Sequence, residues 1–183
     1  PNADDAPVED MDVIVICLHP EAAADFVRAQ AGRIRPGALL TDVCGVKRPL
    51  FEAVGQVENR QFIYLGGHPM AGREFSGFRH ATGTLFERAS MILTPMPDVD
   101  IETLEAAKAF FLETGFKTVR ITTPEEHDRM ISYTSQLAHI VSSAYIKNPC
   151  SAQHKDFSAG SFQDMTRVAR LNETMWTELF LDN

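Results

Sequence analysis

The histidine of Gly66-Gly67-His68-Pro69-Met70-Ala71-Gly72 stands among small residues that let a ligand approach its ring closely. An imidazole with an ordinary pKa of about 6.5 exchanges a proton at neutral pH, so His68 is a candidate proton acceptor. A turn residue at a strand end is the other reading. Two more segments end an apolar run in unusual residues, Cys17-Leu18-His19-Pro20 and Asp42-Val43-Cys44-Gly45-Val46-Lys47. Here too bland readings stand beside the functional ones: His19 as a turn residue, Asp42 as a helix N-cap, Lys47 as a solvated helix residue. Further along, Ser132, Ser135, Gln136, His139 and Ser143 recur at three- and four-residue steps, which on a helix share a face. That face is either the lining of a cleft or a polar surface turned to water. Asp164 and Arg167 have the spacing of a local ion pair, yet an arginine is also the side chain best shaped to grip a carboxylate in two places. Trp176, the only tryptophan, fits a pocket wall or plain core.

These residues need elements to position them. Continuous β-branched and apolar runs predict strands at 12–18, 38–43, 62–66, 90–94 and 117–122, and the spaces between hold helical patterns at 20–30, 46–54 and 101–114. Alternation of this kind predicts an α/β fold with a mostly parallel sheet. Ligands bind such sheets at the carboxyl ends of the strands, where the three unusual segments must lie side by side. From Thr123 the pattern turns all-α. Thr123-Pro124-Glu125-Glu126 is a helix-start signal, and the helix it opens is expected to run to about Lys147, where Asn148-Pro149 stops it. Shorter helices are expected near 162–170 and 173–181, the second capped by Asn172. A domain boundary is placed near residue 122, giving domains 1–122 and 123–183.

Composition narrows the functional classes. A net charge of −8 over 183 residues argues against a nucleic-acid partner, which needs a basic footprint. No segment reaches the roughly 18 apolar residues of a membrane span. Three widely spaced cysteines, Cys17, Cys44 and Cys150, suit reduced thiols in a cytoplasmic protein, and neither CxxC nor HExxH spacing points to a metal. The glycine-rich turn of a dinucleotide fold, G-x-G-x-x-G, is absent, and the first residue is proline. Both observations lead to the expectation that the first βαβ unit lies upstream of Pro1.

Four motifs in order carry a resemblance: GGHPMAGRE at 66–74, DVCGVK at 42–47, TSQLAH at 134–139, and SAGSFQDMTRVA at 158–169 followed by MWTELFLDN at 175–183. Over essentially its whole length the chain resembles the prephenate dehydrogenases, with the related arogenate and cyclohexadienyl dehydrogenases. The resemblance implies the later part of a Rossmann domain followed by part of a helical dimerisation domain, and hence a homodimer. It implies oxidative decarboxylation of prephenate to 4-hydroxyphenylpyruvate with NAD or NADP, in tyrosine biosynthesis. In that reading His68 accepts the proton of the substrate hydroxyl, Arg167 anchors a carboxylate and His139 lies near the pyruvyl side chain. Gln136 and Trp176 are further pocket residues, and Lys47 helps to position cofactor or substrate. Leu18, His19, Pro20, Asp42, Gly45 and Lys47 line the cofactor site.

Many relatives carry serine where this chain has Gly45, so another hydroxyl or a water would have to assist His68. Arogenate as substrate, another hydroxy-acid dehydrogenase of the same architecture, and an inactive ligand-binding or dimerising fragment are the competing readings.

Overall fold

The computed structural model describes residues 6–72 and 77–183; Arg73 and Glu74 of the histidine motif lie outside the described residues. The chain divides into two compact units, Pro1–His127 and Asp128–Asn183.

The first unit is built on five strands, β1 (Val13–Ile16), β2 (Leu39–Asp42), β3 (Ile63–Pro69), β4 (Ser90–Pro95) and β5 (Thr118–Ile121), lying side by side in that order. β1, β2 and β3 are parallel, β4 is antiparallel to β3, and β5 is parallel to β4. A parallel return needs a crossover, usually a helix. α1 (Pro20–Gln30), α2 (Arg48–Gly55) and α3 (Ile101–Glu113) supply three of them. Between β3 and β4 the described residues hold only a 3₁₀ turn, Phe78–His80, and there the sheet reverses direction. Adjacent strand residues face opposite sides. Tyr64 joins a core with Ala23, Val27, Leu50 and Val54 of α1 and α2, and Leu65 joins a separate core with Ala107 and Phe111 of α3. The centre of the sheet is therefore covered on both faces, which is why β3 and β4 read as apolar runs, whereas β1 at the edge leaves Val13 and Val15 exposed. Local chemistry ends the helices where expected: Asp100 accepts from the Thr103 N–H at 2.7 Å at the start of α3, and Gly115 follows its end with φ of 102°.

β3 differs from expectation in a way that matters for the site. It does not stop at Gly66 but continues through Pro69, pairing His68 with Ile92 and Pro69 with Met91. His68 is a strand residue, not a turn residue. β2 pairs only as far as Thr41 with Leu65, so the end of β3 overhangs its parallel neighbour. The two glycines fit this overhang tightly. A Cβ at Gly67 would overlap the Asp42 carbonyl oxygen and lie 2.6 Å from Met91 Cε; one at Gly66 would overlap Thr94 Oγ1 and lie 3.2 Å from the Tyr64 hydroxyl. Their smallness is first a packing requirement between β2 and β4.

The helix predicted over 123–147 is interrupted. α4 (Pro124–Ile131) and α5 (Leu137–Ile146) are joined by a π-helical turn at Ser132–Gln136, so the polar residues there do not form one regular stripe. α6 (Gly160–Arg167) and α7 (Glu173–Leu181) follow, with Asn172 Oδ1 accepting from the Met175 N–H at 3.1 Å. Polar contacts tie the second unit together: Ser142 donates to the Met165 carbonyl, and Gln136 Nε2 donates to the Leu179 carbonyl at 2.7 Å. Among the described residues no apolar side chain of 132–183 belongs to a buried core, while Tyr133, Ile140 and Leu181 are 71%, 50% and 81% exposed. No described helix is long and apolar enough to cross a membrane.

The packing around the overhang gives a stability prediction. Gly67→Ala is expected to destabilise the first unit by about 1–3 kcal/mol, the range for overpacking, because the obstructing Asp42 atom is backbone and cannot turn away. Urea unfolding followed by circular dichroism measures it, and an unchanged midpoint would refute the packing account.

Candidate active site

The carboxyl ends of β1, β2 and β3 lie on one edge, and Asp42 organises it. The N–H and C=O groups of odd-numbered residues in β3 face β2, as the Ile63 N–H bond to Ala38 shows, whereas Met70 bonds to Ser90 beside β4. Gly67 faces β2 where that strand has already ended. Side chains replace the missing strand: the Gly67 N–H donates to Asp42 Oδ2 at 3.2 Å, and Lys47 Nζ donates to the Gly67 carbonyl. Lys47 also pairs with Asp42 Oδ1, which accepts the Cys44 N–H at 2.8 Å; Tyr64 donates its hydroxyl to Oδ2 at 2.8 Å. Cys44 Sγ in turn lies 3.5 Å from the Leu18 carbonyl, joining the end of β1 to the same cluster.

This geometry redistributes the expected cofactor-side residues. Asp42 and Lys47 are 0% and 1% exposed, so neither offers surface to a ligand; they hold the strand end in place. Pro20 is the first residue of α1 and is buried. Leu18, His19 and the half-buried Gly45 stay accessible along the edge, with His19 as the N-cap residue of α1. His68, half-buried, directs its Nδ1 to His127 Nε2 at 2.8 Å. The ring centroids are 5.0 Å apart with planes inclined at 60°, the geometry of a hydrogen bond between rings. His127 is 2% exposed and sits on the first turn of α4. Sequence reasoning passed over it, although it lies one residue beyond the helix-start signal of Thr123–Glu126.

In the second unit His139 and Trp176 meet, their ring centroids 3.9 Å apart. Together they line a groove of about 750 Å³ with Ser143, Leu171 and Phe180. His139 Nδ1 donates to the Val168 carbonyl at 2.8 Å, which leaves its Nε2 as the acceptor nitrogen of the neutral ring and ties it to the residue after Arg167. Arg167 itself is exposed at the last turn of α6. Gln136, expected in the pocket, is buried and lines a separate groove with Ser132, Tyr133 and Phe180; besides its bond to Leu179, its Oε1 accepts from Asn183 Nδ2 at 2.8 Å.

The buried carboxylate sets the protonation of its neighbours. Burial, and then the negative charge of Asp42, pushes the Cys44 thiol up to about 12 and the Tyr64 hydroxyl well above its ordinary 10.0. Both stay protonated in the folded protein while their unfolded counterparts ionise, so the unfolded state loses protons first. Their contribution to stability is intact below the ordinary thiol value of 9.0 and is lost as pH rises from there through about 12. Denaturant unfolding is accordingly expected to show stability falling with pH above about 9. A thiol reagent at pH 8 should leave Cys44 unmodified until the protein is unfolded; rapid labelling in the folded state would contradict its burial.

Comparison with known proteins agrees with this architecture. Residues 2–120 match the model of the prephenate dehydrogenase nucleotide-binding domain and residues 123–183 that of the prephenate dehydrogenase dimerization domain. The prephenate dehydrogenase of Bacillus subtilis is 35% identical over 150 residues, covering 79% of this chain and 40% of its own length. That of Lactococcus lactis is 29% identical over 182 residues, covering 96% and 49%. The chain thus spans about half the length of these curated relatives. Among solved structures, prephenate dehydrogenase from A. aeolicus, in complex with hydroxyphenyl propionate and NAD+, superposes with a TM-score of 0.75 at 27% identity, over 93% of this chain and 60% of that one. Synechocystis arogenate dehydrogenase superposes with a TM-score of 0.77 at 25% identity, over 98% and 65%. With both domains matched in order along one chain, the protein belongs to the prephenate dehydrogenase family.

Proposed function

We propose that this chain carries the proton-accepting and substrate-gripping parts of a nicotinamide-dependent prephenate dehydrogenase. The observation that carries the reading is His68: an imidazole on the overhanging end of β3, with Nδ1 held by a second histidine. In the proposed step the ring carbon bearing the hydroxyl loses a hydride as the hydroxyl oxygen becomes a carbonyl, and the hydroxyl proton passes to His68 Nε2. The ring carboxylate then leaves as carbon dioxide, and the electron pair of the broken C–C bond enters the ring. The resulting phenolate oxygen takes back a proton, giving 4-hydroxyphenylpyruvate. Restored aromaticity drives the second stage. Arg167 binds a substrate carboxylate and His139 and Trp176 form the wall of the side-chain pocket.

A nicotinamide ring, when bound, supplies the hydride acceptor. The residues present fit that half of a dinucleotide: Leu18, His19 and Gly45 are accessible at strand ends beside the N-terminus of α1. The pyrophosphate needs a glycine-rich strand-to-helix turn, which these 183 residues do not contain. β1, at the sheet edge with Val13 and Val15 43% and 45% exposed, is the place where a further strand would pair. The relative crystallised with NAD+ favours NAD over NADP. The similarity to an arogenate dehydrogenase makes arogenate the second substrate to assay.

Steady-state kinetics of the full-length enzyme test these assignments. His68→Asn is expected to lower kcat by about 10²–10⁴-fold, the usual contribution of a general base, with cofactor affinity retained. Arg167→Ala is expected chiefly to raise KM for prephenate. Retained turnover in the first variant, or ordinary saturation in the second, would remove that residue from its role.

The exposed apolar residues of the second unit support a homodimer, since Leu137, Ile140 and Tyr133 are 44%, 50% and 71% exposed on its helices and have to be covered against something. Light scattering is expected to give twice the monomer mass, and Leu137→Asp with Ile140→Asp to shift it toward monomer. A monomeric wild type would defeat this reading.

A further inference from the structure

His127 is a buried titratable residue that none of the family-based assignments uses. It is 2% exposed, and its Nε2 lies 2.8 Å from Nδ1 of His68. Two neutral imidazoles can share that contact in only two ways, because one nitrogen must donate and the other accept. If His127 donates, His68 is protonated on Nε2 and cannot take a proton there. If His127 accepts, His68 is the Nδ1–H tautomer and its lone pair is on Nε2.

We propose that His127 is a positioning residue for His68: its Nε2 accepts the His68 Nδ1–H bond, selecting the tautomer in which His68 Nε2 is the base. This rests on the reading of His68 as the proton acceptor. The same bond restrains the orientation of the ring at the overhanging end of β3. When His68 Nε2 takes up the hydroxyl proton, the imidazolium still donates through Nδ1 to a neutral His127, so no bond has to be exchanged during the step. A buried carboxylate orients the imidazole in a serine-protease triad; here a neutral imidazole would occupy that place. A neutral partner fixes the tautomer without adding a negative charge beside Asp42, which is buried on the same strand edge. His127 supplies the hydrogen-bond partner for the base from another element, α4.

The test pairs a spectroscopic readout with kinetics on the full-length enzyme. In protein labelled with 15N at its histidine rings, the His68 signals are expected to show a protonated Nδ1 and an unprotonated Nε2 at neutral pH. His127→Phe, which keeps the ring shape and removes both nitrogens, is expected to abolish that preference. Its kcat should fall about 10- to 100-fold, part of what a general base supplies, with KM values for substrate and cofactor unchanged. His127→Gln, whose Oε1 can still accept, is expected to recover most of the turnover. A protonated Nε2 on His68 in the wild type, or full turnover in His127→Phe, overturns the proposal. Normal turnover in His68→Asn would instead overturn the assignment of His68 itself, whatever the spectra show.

Discussion

The carboxylate of Asp42 is the point on which the carboxyl-end edge of the first unit's sheet depends. One oxygen accepts from the Cys44 N–H and pairs with Lys47; the other accepts from the Tyr64 hydroxyl and the Gly67 N–H. These partners fix the turn after β2, the start of α2 and the projecting end of β3 with one group. Burying a carboxylate and an ammonium costs several kcal/mol per ion, and that cost is tolerable only when their hydrogen-bonding capacity is filled. Here it is filled by the Tyr64 hydroxyl, by the ion pair itself and by backbone N–H groups beyond the end of the strand pairing. Desolvation and strand-end satisfaction therefore offset each other, and His68 inherits a rigid backbone immediately after Gly67.

Much of this edge was legible in the sequence. Apolar runs located all five strands, and the capping residues located the helix ends, because both signals are local. The reversal between β3 and β4 was not legible, since strand direction depends on how the intervening chain returns. His68 looked like a turn residue because glycine and proline around it carry turn statistics. Tertiary pairing with Ile92 overrode them. Asp42 and Lys47 were correctly singled out as unusual, but spacing cannot tell a charged residue facing a ligand from one buried against its own backbone. His127 was invisible for a related reason. It lies 59 positions from its partner, and a lone histidine on a polar helix start has no local signature.

The second unit shows the same division between local and non-local information. The helix-start residues and Asn172 predicted where helices begin. The π turn at Ser132–Gln136 could not be read, because one extra residue in a turn leaves the three- and four-residue spacing superficially intact. Its effect is to separate roles that the spacing had grouped: Gln136 faces Leu179 and Asn183, while His139 faces Val168 and Trp176. π turns of this kind are frequent at functional sites. This one ends at Gln136, three residues before His139.

The adjacent glycines of β3 differ in how freely evolution could replace them. At Gly66 the atom nearest to an added methyl group is a side-chain oxygen, Thr94 Oγ1, so a change at Thr94 to a smaller residue could open room for it. The two positions should then be coupled, a side chain at Gly66 being better tolerated once the Thr94 hydroxyl is gone. At Gly67 the nearest obstacle is the Asp42 main-chain oxygen, which every residue at position 42 would present. No single side-chain exchange elsewhere relieves that clash. Of two neighbouring residues that look interchangeable in the sequence, one can drift with a partner and the other is locked by the backbone itself.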